Sequence, residues 1–112
     1  MGELVSVRLA PEWVTDCLWI LRTDDEFRLN YAPESLVADY GVSADLVTAI
    51  EEWDAEYQAV YVSADPMSGG FPDERTTIAW RERGERLAER LAAALRVPVE
   101  FSAAGFDRVF TP

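Results

Sequence analysis

Two long amphipathic segments, 44–62 and 74–96, separated by the turn-rich stretch 63–72, restrict this chain more than any other feature. In the first, Leu46, Ile50, Trp53, Tyr57 and Val60 recur at helical spacing, with Val47 and Tyr61 widening the stripe. In the second the stripe is Trp80, Gly84, Leu87, Leu91 and Leu95. Ser43 is placed to cap the first helix, with Asp45 in its first turn, and Asp73 to cap the second. Gly84 is the odd member. A glycine inside a helix costs about 1 kcal/mol relative to alanine, so one on a buried stripe predicts the close approach of a bulky side chain, Trp53 first and Trp19 next.

The segments around this hairpin read as strands. Residues 4–9 alternate, with Val5, Val7 and Leu9 on one side and Ser6 and Arg8 on the other. The apolar run 17–21 predicts a central strand covered on both faces or closely flanked. Asp24, Asp25 and Glu26 predict a turn, returning into a short strand at 27–29, and Pro33 to Gly41 frame a short helix over 33–39. Residues 97–101 predict a last strand, with Pro98 placing it at an edge or at a strand start. The expected fold is therefore α+β: a small, mostly antiparallel sheet of three or four strands, with a two-helix hairpin packed on one face. It is a single domain over 1–112, ending in a loose tail at 103–112.

Charge is unevenly distributed. The net charge is −11, and residues 1–65 carry fourteen acids against three arginines, whereas residues 66–112 carry seven of each. Such a field repels nucleic acid and anionic lipid and speeds encounter with basic partners. The ten basic residues are all arginine, the bias expected of a GC-rich coding sequence. With no leader-like start and no apolar run near membrane-spanning length, the expected compartment is cytoplasmic, in keeping with a single cysteine.

The sequence offers little to catalysis. It has no histidine, so the commonest general base and any Ser–His or Cys–His pair are missing. Cys17 lies in an apolar run beside Asp16, which disfavours a thiolate. The carboxylates lack the Glu-x-x-His partners of a helix-borne metal site and the spacing of a calcium loop. Gly69 and Gly70 are not followed by the Lys-Ser/Thr pair of a phosphate loop, and Arg81, Arg83, Arg86 and Arg90 are interleaved with Glu82, Glu85 and Glu89. No cofactor, metal ligand or catalytic residue is expected.

Leu18-Trp19, the run from Asn30 through Pro33 to Leu36, Trp53-Asp54-Ala55-Glu56-Tyr57, and Asp65-Pro66-Met67-Ser68-Gly69-Gly70-Phe71-Pro72 before a helix containing Gly84 carry a resemblance. The chain resembles, from Cys17 to Phe101, a family of short acidic proteins of GC-rich bacteria with no assigned function, its linker carrying one extra glycine. That resemblance implies one compact domain and brings no catalytic residues.

The leading expectation is a non-catalytic protein that engages a basic protein partner, in the manner of an immunity or antitoxin inhibitor. The candidate surface is Glu51, Glu52, Asp54 and Glu56 on the first long helix, with Asp24, Asp25 and Glu26. One rival is an enzyme for a small ligand or metal, using carboxylates in an aromatic pocket of Trp19, Trp53, Tyr57 and Trp80. A third is a subunit of a larger or homo-oligomeric assembly.

Overall fold

The structure, a computed structural model, describes residues 2–63, 71 and 73–112, with 61–63 followed as backbone only. The predicted linker lies mostly outside these residues. In chain order the elements are β1 (Leu4–Leu9), β2 (Leu18–Arg22), β3 (Leu29–Tyr31), α1 (Ser35–Tyr40), α2 (Ala44–Ser63), α3 (Glu74–Leu95), β4 (Val99–Ala103) and β5 (Phe106–Phe110). The fold is α+β as expected, and the sheet has five strands in the order β3-β2-β1-β4-β5. All neighbouring pairs are antiparallel except β1 with β4.

One face of the sheet builds the core. Val7, Leu9, Leu18, Ile20, Val99 and Phe101 are buried there against Ile50, Trp53, Trp80 and Leu91 of the long helices. The alternation of a half-buried strand explains which residues face which way. Arg8, Trp19 and Glu100 are register partners on the other face, where Arg28 pairs with Glu100 at 3.2 Å.

Both helix starts are capped as the sequence predicts. The Leu46 amide donates to the Ser43 hydroxyl at 3.3 Å, and the Thr76 amide to the Asp73 carboxylate at 2.7 Å. Capping by the Thr76 amide holds the Asp73 carboxyl below the ordinary carboxylate range. Short α1 stops at Gly41, whose φ of 68° a glycine adopts without the steric cost that a Cβ adds.

At the seam between α2 and α3 the predicted neighbour of Gly84 is in place. A Cβ added there would lie 2.3 Å from Trp53 Cζ2 and 2.7 Å from Phe101 Cε1. Trp53 and Trp80 stack with centroids 4.4 Å apart and planes within 4°. Each indole also satisfies itself on the other helix: Trp53 Nε1–H donates to the Trp80 carbonyl at 2.8 Å, and Trp80 Nε1–H to the Trp53 carbonyl at 3.0 Å. A carbonyl has two lone pairs, so these bonds leave the helical ladder intact.

Four expectations are corrected. Of the two readings of β2, coverage on both faces is overturned, since Trp19 and Leu21 stay half-exposed while Leu18 and Ile20 are buried, and the strand is instead flanked by β1 and β3. Its hairpin partner is Leu29–Tyr31, two residues later than 27–29, and Phe27 is exposed in the turn. Val5 is exposed because the β1 register shifts between Leu4 and Ser6, turning Leu4 toward the core in its place. The stretch expected as a loose tail is strand β5, reached through Ala104 and Gly105, both at positive φ, and this makes β4 an interior strand. Pro98 is compatible with that because it precedes β4, where its carbonyl accepts the Val7 amide at 3.1 Å.

Candidate functional site

The acidic residues singled out in the sequence fall in three places. On α2, Glu51 and Asp54 point to one flank together with Ala55 and Gln58, while Glu52 and Glu56 sit on the flank toward α3. Helical spacing explains the division. Positions 51, 54, 55 and 58 share one ridge, and 52 and 56 the next. The carboxylates of the β2–β3 turn lie at the far end of β2 from Asp16, beyond a strand of five residues that is roughly 17 Å long at strand rise. There Asp25 accepts the Arg22 amide at 3.0 Å.

Glu56 is committed within the hairpin. Its two carboxylate oxygens accept from Arg83 Nη1 and Nη2 at 2.7 and 2.8 Å, a bidentate pair. The groove it borders also holds Arg86, Arg90 and Glu52, so its charges are mixed.

The flank of Glu51 and Asp54 has another character. A cleft of about 530 Å³ opens between α2, the N-terminal end of α1 and the segment leading into β2, with Asp16 and Glu34 completing its carboxylates over a floor of Ala32, Pro33 and Ala55. Among the described residues no arginine pairs with any of the four. Burial pushes the Asp54 carboxyl above its ordinary range; a hydrogen bond from Gln58 Nε2–H, at 3.2 Å, opposes the shift and nearby Asp16 adds to it. Desolvation and like charge are the conditions a cation would relieve.

The β1–β2 loop that brings Asp16 to the cleft is fastened from two sides. Gln58 Oε1 accepts the Val14 amide at 3.0 Å while Gln58 Nε2–H donates to the Glu12 carbonyl at 2.8 Å. Asn30 Nδ2–H donates to the Asp16 carbonyl at 2.7 Å, and Asn30 Oδ1 accepts the Asp16 amide at 3.3 Å. Asp16 and Glu34 were absent from the sequence-derived set because no periodicity links them to α2; only docking of the loop and of α1 brings them there.

The proposed aromatic pocket is not formed as expected. Trp80 stacks on Trp53 at 4.4 Å and on Tyr57 at 5.5 Å, whereas Trp19 is on the opposite sheet face with its indole N–H donating to the Ala10 carbonyl at 3.1 Å. Cys17 is fully buried, and burial, followed by the negative field of Asp54, pushes its thiol well above the ordinary value. Among the described residues no three Cys, Asp or Glu side chains converge as a metal site, and no helix is long and apolar enough to cross a membrane.

Residues 5–103 match the family model described as Serratia CdiI immunity protein-like. No curated protein matches the chain. The match corrects the expectation of a family without assigned function, since its description is that of immunity proteins.

Proposed function

The chain belongs to the Serratia CdiI immunity protein-like family, and from that premise we propose that it is an immunity protein that binds a protein toxin through the cleft of Asp16, Glu34, Glu51 and Asp54. The observation that carries the choice of surface is that four carboxylates line one cleft and pair with no arginine among the described residues. Its complement is a basic surface on the toxin. Arginine or lysine stems would lie along the Ala32, Pro33 and Ala55 floor, with their charged heads at the rim. Glu52 and Glu56 face the arginines of α3, and Asp24, Asp25 and Glu26 lie apart, so neither group belongs to the proposed surface.

Exposed charges are screened beyond about 8 Å at physiological ionic strength. Association with the toxin, followed by stopped flow, should therefore slow steeply from low to high salt while dissociation changes less. Equal association rates at both salt concentrations would exclude an electrostatically steered acidic surface.

A further inference from the structure

Val14 is 77% exposed, and it adopts φ of 69°, a region that β-branched residues avoid because Cβ crowds the backbone. A residue stays in such a conformation only where its surroundings impose it. Here they do. Its amide is held by Gln58, the preceding Trp13 ring stacks on Tyr57 at 5.7 Å, and the loop base is closed by the Ala10 amide donating to the Cys17 carbonyl at 2.9 Å. The product of these restraints is an apolar side chain in water, which contributes little to the fold of its own chain.

Gln58 connects this loop to the acidic cleft, since the same side chain lines the cleft and grips Glu12 and Val14. We infer that the loop over residues 12–16 is a preformed contact element and that Val14 is its anchor, seating in an apolar socket of the toxin flanked by basic groups. The inference rests on the proposed toxin-binding function. It adds an apolar, specificity-determining contact to a surface otherwise defined by charge. Holding the loop in its binding shape beforehand lowers the ordering cost of association, so that burial of even a small apolar side chain contributes to affinity.

The test uses the full chain, with the protein encoded by the adjacent reading frame as the candidate toxin, and two variants. Val14→Asn tolerates the left-handed conformation and keeps the loop shape while removing the apolar group; Val14→Gly removes both the side chain and the strain. Both are expected to bind roughly tenfold or more weakly. The melting temperature should be no lower for the asparagine variant and higher for the glycine variant, the reverse of what a structural residue would show. Salt-dependent binding by the wild type with both variants within about twofold of it would overturn the anchor and leave the acidic surface standing. A fall in melting temperature for Val14→Gly would overturn it by making Val14 structural. A wild-type chain that does not bind the toxin would overturn the function, and the anchor with it.

Discussion

The two sides of α2 differ in how completely their polar groups are satisfied. On the α3 side, Trp53 and Trp80 stack and donate to each other's carbonyls, Gly84 leaves room for the ring, and Glu56 closes on Arg83 with both oxygens. On the β2 side, Glu51 and Asp54 join Asp16 and Glu34 with no arginine partner among the described residues. One helix thus carries a seam that is complete in itself and a surface that an external cation would complete. On the proposed function, the difference separates what folds the chain from what it offers to a partner.

Substitutions should reproduce that separation, beginning with the seam. Trp53→Ala removes a fully buried ring from both the helix seam and the Phe101 contact, and is expected to cost about 3–5 kcal/mol in denaturant unfolding. That is a large share of the roughly 5–15 kcal/mol typical of a domain. Gly84→Ala comes next. Better helix propensity returns about 1 kcal/mol, but the added methyl meets two aromatic rings at 2.3 and 2.7 Å, and overpacking of this kind costs about 1–3 kcal/mol or more. The expected net result is a loss, read as a lower denaturation midpoint; a gain would mean that the Trp53 ring moves freely. Glu56→Gln removes one partner of a half-exposed pair and should cost only about 0.2–1 kcal/mol.

The smallest stability effect has the opposite sign. Burial raises the Asp54 carboxyl above its unfolded value, so the folded state takes up its proton at a higher pH than the unfolded chain. Its ionisation therefore destabilises the fold as pH rises through the raised value, and Asp54→Asn should slightly raise the melting temperature at neutral pH. Asp73 behaves in the reverse way: its lowered carboxyl contributes stability above the unfolded value, and that contribution disappears as pH falls through the folded one. Thermal melts of Asp54→Asn and Asp73→Asn across the acidic range should separate the two signs.

Local signals made the seam legible in the sequence. Helical periodicity gave the two stripes, Ser43 and Asp73 gave the caps, and Gly84 on a buried stripe pointed to Trp53. β5 was not legible, because Ala104-Gly105 lacks the Asn-Gly or Asp-Gly signature of a tight hairpin and only pairing with β4 defines the strand. At the site, the acidic outer face of α2 could be read, but its division could not. Glu56 is withdrawn by Arg83, 27 residues away, and Asp16 enters through backbone hydrogen bonds exchanged with the Asn30 side chain. Such long-range choices are made by packing, which periodicity does not encode.

The central claim is that place, and not total acidity, decides binding. It is tested most directly by comparing two variants that remove the same charge: Glu51→Gln with Asp54→Asn in the cleft, and Asp24→Asn with Glu26→Gln at the β2–β3 turn. Measured as association with the toxin at low salt, the cleft variant should be slower by roughly tenfold or more and the turn variant close to wild type. Equal slowing by both would contradict the account, showing that the toxin responds to the charge of the whole molecule and not to this cleft.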